Sequence, residues 1–415
     1  MWRPLTAIEQ AFALSNRHYP PLGIVVVLHL RNGPDRERVA TSLRELQLRY
    51  EWLRASIVKE STGFCFVETD PPRSISLESV ERADRSHWQR EAEVWLNQSF
   101  PEEGPALRAR YLTTKDEAEG ELLLAFHHSF VDSVVLRLLL DDLLNLLGEL
   151  PLSSAPDPVP AGRLSPLRPG WKLASFLARQ LADEWRFARQ GRIRPIPGDS
   201  RNELIDLVLP LDESRRLQLA VGRKGLTLHA VLQAVILLAL IRRRQVPQQG
   251  GLFRSIAFAD LRPQLDPPPP PASFGCYISM LRLTLPIGPG DRLDKVAREL
   301  LRRLYRSGKR GELQLFAALS KPLIRTALRL QKTRLGHTAL SFMGPLDLHS
   351  RYGRVELREV SAYITNNRLG PEFSGFGKLL SGRLGLHFTY LAEETSREEA
   401  ADLVADIRRQ LLEFS

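Results

Sequence analysis

The sequence predicts an α/β protein built as a two-domain sandwich. Segments with strand-like and helix-like patterns alternate along the 415 residues, as they do when sheets are covered by helices. A chain of this length exceeds what one hydrophobic core usually supports. A proline-rich segment after residue 150 separates two halves of similar size. We therefore expect a first lobe at 1–150, a linker with a basic amphipathic helix at 151–200, and a second lobe at 201–415.

The first lobe begins with a buried strand, Leu22–Leu30, which is rich in β-branched residues. Asp35–Tyr50 has apolar residues at helical spacing and predicts an amphipathic helix. Shorter strands are predicted at Ala55–Val58, Phe64–Glu68 and Leu107–Leu112. The apolar strand Glu121–Phe126 then runs directly into the segment HHSFVDS (127–133), and a helix follows over Ser133–Leu147.

The linker and the second lobe show the same mixture of patterns. Trp171–Gln190 predicts a helix with apolar and basic faces, and Thr227 is a suitable N-cap for the long apolar helix after it. Further strands are predicted at Leu204–Leu209, Ser255–Phe258, Tyr277–Thr284, Val355–Ile364 and Arg383–Tyr390. Further helices are predicted at Asp212–Val221, Arg292–Arg306, Gln314–Thr333 and Ser396–Phe414.

Composition narrows the class of protein. Hydrophobic residues make up 43% and charged residues 26%, which is typical of folded globular proteins and excludes a disordered chain. The net charge of +10 favours anionic partners, but no zinc-finger or RNA-binding signature is present, so we expect no nucleic acid partner. Cys65 and Cys276 form no disulfide or zinc framework. No secretion signal is evident at the N-terminus, so we expect a cytoplasmic protein. We also expect a monomer.

The segment HHSFVDS carries the most distinctive chemistry. Its two adjacent histidines, His127 and His128, lie at a strand-to-helix turn, where rigid elements hold side chains that can face a cleft. An imidazole with a pKa near its usual value of about 6.5 accepts protons at neutral pH. One of these rings is therefore suited to remove a proton from a hydroxyl or amine as it attacks a thioester carbonyl.

Simpler explanations of the same residues stay open. Asp132 is a good N-cap for the helix that begins at Ser133. The histidine pair can be structural polar residues at the end of a strand. A metal pair is a weaker alternative, because zinc-binding helices place two histidines four residues apart and no third ligand is evident. We therefore expect no bound metal.

HHSFVDS resembles the HHxxxDG motif of the chloramphenicol-acetyltransferase-like superfamily. This group includes peptide condensation domains, wax ester synthases and polyketide-associated acyltransferases. Other segments fall in the same order as in that superfamily: Leu53-Arg54 before the strand ASIV, GLTLHAVLQAVILLAL at 225–240, DLRP at Asp260–Pro263 and FGCYIS at 274–279. The resemblance covers most of the chain and implies a two-lobed fold with an active-site tunnel between the lobes.

The resemblance also implies roles for individual residues. His128, the second histidine of the motif, would be the general base, with His127 beside it. Asp132 would face away from substrate and pair with Arg262 of DLRP, which would hold the turn in place. Ser341, Asn366 and Asn367 are weaker candidates for substrate binding.

One position departs from the superfamily's pattern. The final glycine of the motif is Ser133, which keeps the backbone N–H but adds a hydroxyl near the reacting atoms. The hydroxyl would assist the reaction, cap the helix or narrow the pocket. The DFGWG element of plant acyltransferases is absent in strict form, so membership of that plant group is not expected.

We therefore expect an acyltransferase that uses an acyl-CoA or phosphopantetheinyl carrier-protein thioester as cosubstrate, with no tightly bound cofactor. Ester formation on a small-molecule alcohol in natural-product or lipid biosynthesis is favoured. The alternatives are an amide-forming condensation enzyme, a non-catalytic relative that recruits a carrier protein, and a metal hydrolase. The stripe on Trp171–Gln190 is expected to pack on the core, with peripheral contact to a membrane or to an acyl chain as the alternative.

Overall fold

The computed structural model describes residues 3–61, 63–68, 74–100, 105, 107–114, 119–152, 163–164, 170–190, 199–243, 250–270, 273, 275–288, 290–330 and 334–415. Within these ranges the chain forms two compact units. The first unit comprises Met1–Arg163, Leu265–Tyr277 and Leu346–Thr365. The second comprises Leu164–Gln264, Ile278–Pro345 and Asn366–Ser415.

The α-helices of the described residues are α1 (Ala7–His18), α2 (Arg36–Arg49), α3 (His87–Leu96), α4 (Ser133–Leu147), α5 (Gly170–Gln190), α6 (Leu211–Arg223), α7 (Leu228–Arg243), α8 (Leu293–Lys309), α9 (Glu312–Leu330) and α10 (Arg397–Phe414). The strands are β1 (Arg3–Pro4), β2 (Gly23–Arg31), β3 (Ala55–Lys59), β4 (Phe64–Glu68), β5 (Leu77–Glu81), β6 (Leu107–Thr113), β7 (Glu119–His127), β8 (Arg163–Leu164), β9 (Asn202–Val208), β10 (Gly251–Asp260), β11 (Leu265–Asp266), β12 (Ile278–Ile287), β13 (Thr338–Pro345), β14 (Arg351–Tyr352), β15 (Val355–Ile364), β16 (Phe373–Leu380) and β17 (Arg383–Leu391).

The first unit is organised around a six-stranded sheet in the order β14-β15-β2-β7-β6-β5. Strand β2 lies between β15 and β7, and its residues Val25–Leu28 are buried, which explains the uninterrupted apolar run. Strand β15 comes from late in the chain, where Ala362 lies opposite Val26. A second, three-stranded sheet has the order β1-β4-β3.

The second unit contains another six-stranded sheet, in the order β12-β10-β13-β16-β17-β9. Helix α7 is buried from Ala230 to Ile241 and forms the centre of the hydrophobic core. Its apolar residues therefore occur all around the helix rather than along one stripe. Leu386, Phe388 and Tyr390 of β17 point into the same core.

Most of the predicted elements are present. The helix Ser133–Leu147 and the strands Phe64–Glu68 and Val355–Ile364 have the expected bounds. The helix expected at Gln314–Thr333 is described over Glu312–Leu330, and residues 331–333 lie outside the described residues. The predicted elements do not include the helices α1 and α3, the strands β5, β13 and β16, or the two-residue strands β1, β8, β11 and β14.

The division into units differs from the contiguous lobes expected at 1–150 and 201–415. Residues Leu265–Tyr277 and Leu346–Thr365 belong to the first unit, although they lie within the second half of the chain. The physical reason is strand pairing, because β15 completes the sheet of the first unit beside β2. Most of the expected proline-rich linker (153–162 and 165–169) lies outside the described residues.

No single helix in the described part of the chain is long and apolar enough to cross a membrane. The pair α6 and α7 reaches the necessary length and composition only when taken together, across a bend of 105°. Helix α7 is accounted for by its position in the core of the second unit.

Candidate active site

The HHSFVDS segment forms a turn between β7 and α4 in the first unit. Strand β7 is held on both sides, by β2 and by β6, and its last residue, His127, lies opposite Gly23. The backbone N–H of His128 then donates to the carbonyl of Leu22 (3.2 Å). Helix α4 begins five residues later, at Ser133. The turn is therefore fixed by a sheet at one end and a helix at the other.

His128 is buried, and only 7% of its surface is exposed to solvent. Its ring stacks on Phe12 of α1, with centroids 4.4 Å apart and planes inclined by 19°. Burial lowers the pKa of His128 to about 4, and the backbone groups of His128 and Val131 oppose that shift. Its Nδ1 makes no hydrogen bond to any described residue. At neutral pH the ring is uncharged and able to accept a proton.

His127 has a structural place in the turn. Its Nδ1 accepts a hydrogen bond from the backbone N–H of Ser129 (3.1 Å), so the neutral ring carries its proton on Nε2. Burial and the neighbouring His128 lower the pKa of His127 to about 3. The ring also makes edge contacts with Phe100 and Phe130. These contacts indicate that His127 stabilises the turn next to His128.

Asp132 is the N-cap of α4, as the simpler explanation of the sequence proposed. Its Oδ1 accepts from the backbone N–H groups of Val134 (3.0 Å) and Val135 (3.1 Å). Its Oδ2 accepts from the backbone N–H of Tyr277 (2.8 Å), so the carboxylate joins the turn to the segment 275–277 as well. Ser133 is the first residue of the helix and is half-buried, and the capping role is taken by Asp132.

A buried ion pair that the sequence analysis missed supports the same segment. Glu9 of α1 accepts two hydrogen bonds from the guanidinium of Arg3, each of 2.7 Å, and a further one from the backbone N–H of Cys276 (3.0 Å). The carbonyl of Glu9 accepts from the hydroxyl of Ser129 (3.2 Å). Glu9 therefore contacts both the histidine turn and the segment that Asp132 holds.

A signal for Glu9 is present in the sequence. Thr6 and Glu9 form a capping box at the start of α1, with the Thr6 N–H donating to the carboxylate of Glu9 (2.7 Å). The spacing T-x-x-E before apolar residues is typical of a helix start. It predicts the helix that carries Phe12, although it does not predict the contact with His128.

Gly275 is required where it packs against this ion pair. Its φ is +124°, a conformation that side chains rarely adopt. A Cβ at this position would lie 2.5 Å from Nη2 of Arg3 and 2.6 Å from Oε1 of Glu9. The close approach of this backbone therefore depends on glycine.

Arg262 lies in the second unit, in a short 3-10 helix after β10. It is buried, and its guanidinium contacts Oδ1 of Asp260 at 3.0 Å. Asp132 belongs to the first unit. The ion pair expected between Asp132 and Arg262 stays a prediction.

The other predicted site residues lie in the second unit. Ser341 is half-buried on β13, opposite Phe376 of β16. Nδ2 of Asn366 donates to the carbonyl of Pro371 (2.6 Å). Oδ1 of Asn367 accepts from the N–H groups of Leu369 (3.0 Å) and Gly370 (2.9 Å). The two asparagines thus close a polar turn, and a role of these three residues in substrate binding stays a prediction.

His387 has a partner that the sequence did not reveal. It lies on β17 in the same cross-strand row as Phe376 and Asp206, and its Nδ1 is 2.7 Å from Oδ1 of Asp206. The ring is fully buried. This histidine–carboxylate pair belongs to the sheet of the second unit, whereas His128 belongs to a turn of the first.

A metal centre is not evident in the described ranges. They contain no group of three or more histidine, cysteine, aspartate or glutamate side chains placed to hold an ion. His127 uses its Nδ1 to accept from Ser129, which leaves one nitrogen of that ring for any other partner.

Comparison with known proteins agrees with this architecture. Residues 16–157 match the family model of the condensation domain. That range contains the whole HHSFVDS turn and most of the first unit's sheet. No curated protein matches the sequence.

Several solved structures share the fold over nearly the whole chain. Trichothecene 15-O-acetyltransferase from Fusarium sporotrichioides is similar with a TM-score of 0.77 at 14% identity, covering 99% of this chain and 94% of that one. Polyketide synthase associated protein 5 from Mycobacterium tuberculosis has a TM-score of 0.69 at 18% identity, covering 99% and 97%. The first condensation domain of the calcium-dependent antibiotic synthetase has a TM-score of 0.70 at 14% identity, covering 99% and 96%.

Identities this low establish the architecture rather than the reaction. The similar structures include both an O-acetyltransferase and condensation domains. The chain has the mixed α/β fold of these solved structures, and its residues 16–157 match the condensation-domain family.

Proposed function

We propose that this protein transfers an acyl group from a CoA or carrier-protein thioester to the hydroxyl of a small molecule in natural-product or lipid biosynthesis. The observation that carries the proposal is the state of His128. Its ring is neutral, stacked on Phe12 and held at a turn between a sheet and a helix. A neutral imidazole in a fixed position is a suitable general base.

The proposed reaction needs no covalent intermediate on the protein. The oxygen of the acceptor hydroxyl forms a bond to the thioester carbonyl carbon. At the same time, His128 accepts the proton of that hydroxyl. The resulting tetrahedral intermediate collapses, the C–S bond breaks, and the imidazolium returns its proton to the leaving thiolate. An ester and a free thiol are the products.

The low pKa of His128 is compatible with this cycle. Burial disfavours the imidazolium in the free protein, so the ring remains a proton acceptor at any pH well above 4. The charged ring is needed only while the negatively charged tetrahedral intermediate is present, and that opposite charge stabilises it. Proton transfer by a positioned base is typically worth about 10²–10⁴-fold in rate.

Amide formation is the second candidate, because the family model that matches residues 16–157 is that of the condensation domain. An amine in place of the alcohol would be deprotonated by the same ring and would attack the same carbonyl. The roles of Asp132, His127 and Glu9 in holding the turn are the same for both acceptors.

A paired assay tests the proposal. The protein is incubated with an acyl-CoA and, separately, with an acylated carrier protein, each in the presence of matched primary alcohols and amines. Release of free thiol is followed with a thiol reagent, and products are identified by mass spectrometry. We expect ester formation to exceed amide formation. Amide as the main product would favour the second candidate, and thioester binding without product from either acceptor would overturn both.

A further inference from the structure

Helix α5 of the second unit has two apolar sides, of which one is buried. Phe176 and Phe187 have no exposed surface. Phe176 packs in the core and meets Phe316 edge to face, with centroids 5.0 Å apart. Phe187 lies against the guanidinium of Arg254 at 3.9 Å. This side agrees with the expectation that the stripe packs on the core.

The opposite side of α5 does not agree with that expectation. Trp171 is 65% exposed, Leu181 70% and Trp185 60%. Successive residues of a helix are rotated by about 100°, which places these three on one face, away from Phe176. The exposed apolar face consists of Trp171, Ala174, Leu177, Ala178, Leu181, Ala182 and Trp185. A continuous exposed apolar face of this kind is typical of a contact site.

Basic residues border this face. Lys172, Arg179 and Arg186 recur every seven residues and therefore form a row along one edge of it. Two cations also lie over the exposed indoles. Nζ of Lys172 is 5.8 Å from the ring of Trp171, and the guanidinium of Arg189 is 4.5 Å from that of Trp185.

An arginine-rich groove continues from the same edge. It has a volume of about 410 Å³ and lies between α5, β12 and α8. Three acidic residues, Asp183, Glu299 and Glu312, line it together with six arginines. These arginines are Arg179, Arg186, Arg282, Arg303, Arg306 and Arg310. The groove is therefore strongly positive.

Part of this charge is available to a ligand. Arg303 contacts Glu299 at 2.6 Å, and Arg179 contacts Glu312 at 3.2 Å. Arg186 and Arg306 are exposed and form no ion pair with any described residue. An anionic group entering the groove would meet these two guanidinium groups first.

We infer that the exposed apolar face of α5 and the adjoining arginine groove dock the protein on an anionic phospholipid surface. The tryptophans and Leu181 would lie at the boundary between the headgroups and the acyl chains, where indoles are preferred. The groove would bind headgroup phosphates, to which arginine donates paired hydrogen bonds. The net charge of +10 draws the whole chain to such a surface. The inference is independent of the proposed acyl transfer, because docking requires no substrate.

Vesicle flotation tests this inference directly. The full chain is mixed with vesicles of phosphatidylcholine alone and with vesicles that contain equal parts of phosphatidylcholine and phosphatidylglycerol. We expect flotation with the anionic vesicles, a blue shift of tryptophan emission, and loss of binding in high salt. Absence of flotation with anionic vesicles would overturn the inference.

Matched variants locate the surface. Trp171→Ser with Trp185→Ser is expected to lower partitioning by about tenfold or more, because two large apolar side chains no longer enter the membrane. Arg186→Gln with Arg306→Gln is expected to lower it by about fivefold for each charge removed. The controls are Leu48→Ser, an equally exposed apolar residue on α2, and Arg85→Gln, an exposed arginine of the first unit. All variants are checked for an unchanged thermal midpoint.

Two outcomes count against the inference. If the controls reduce flotation as much as the α5 and groove variants, binding is a general effect of charge and this surface has no special role. If an acidic carrier protein binds the α5 surface while anionic vesicles do not, the surface recognises a protein rather than a membrane.

Discussion

His128 and His387 are both buried histidines, yet the two units hold them in opposite ways. His387 lies within a strand, and the neighbouring strand presents Asp206 to its ring at 2.7 Å. His128 lies after the end of a strand, stacks on Phe12 and keeps Nδ1 without a described hydrogen bond. The two rings therefore differ in their partners, a carboxylate at His387 and an aromatic ring at His128. Under the proposed function the base is His128, which differs from His387 by its position at a strand-to-helix turn.

The largest expected effect distinguishes these two rings. His128→Gln should lower the rate of acyl transfer by about 10²–10⁴-fold, because an amide cannot accept the acceptor's proton. His387→Gln is the matched control, since its amide can still bond to Asp206. We expect its rate to stay within a few-fold of the wild type, measured as thiol release. The opposite pattern in two folded variants would move the base to the second unit.

The second prediction concerns how the turn is held. Asp132→Ala removes the acceptor of three backbone N–H groups, and we expect a loss of about 2–4 kcal/mol in the free energy of unfolding. Asp35→Ala is the matched control, because Asp35 caps α2 through the N–H of Arg38 alone and should cost about 1 kcal/mol. Urea unfolding measures both. Equal losses would mean that the two additional bonds of Asp132, including the one to Tyr277, contribute nothing.

A third and smaller effect is expected at Gly275. Gly275→Ala forces a Cβ against Arg3 and Glu9 and requires an unfavourable φ, so we expect a loss of about 1–3 kcal/mol. Gly308→Ala, within α8 and with open space around it, should instead stabilise by about 0.5–1 kcal/mol. Thermal unfolding of the two variants measures whether Gly275→Ala lowers the stability and Gly308→Ala raises it. A neutral Gly275→Ala would show that the segment moves freely over the ion pair.

The last prediction concerns the pH dependence of stability. The folded-state pKa values of His127 and His128 are about 3 and about 4, below the usual 6.5. The unfolded chain therefore binds more protons below pH 6.5, and stability should fall as the pH is lowered towards 4. Each histidine contributes at most about 1.4 kcal/mol per pH unit. His128→Gln should lose less stability over this range than the wild type, and an equal loss in both would contradict the buried neutral ring.

Much of the candidate site was predictable, for local reasons. The apolar run before HHSFVDS forms β7, and the spacing after it forms α4, so the placement of the histidines at a turn follows from local patterns. Asp132 acts as an N-cap through Oδ1, as its position before the helix suggested. The stacking of His128 on Phe12 was not predictable, because α1 and the turn are far apart in sequence. No sequence pattern indicates that these two elements come into contact.

The sequence by itself determined the α/β class, most of the elements and the position of the histidine pair at a turn. Hydrophobic periodicity and helix capping depend on residues that are close together in the sequence. Both can therefore be recognised from the sequence alone. Tertiary structure decided which strands share a sheet, as when β15 joins the first unit beside β2. It also decided which side of α5 is buried, because both sides are apolar and only the packing of the second unit selects Phe176 over Trp185.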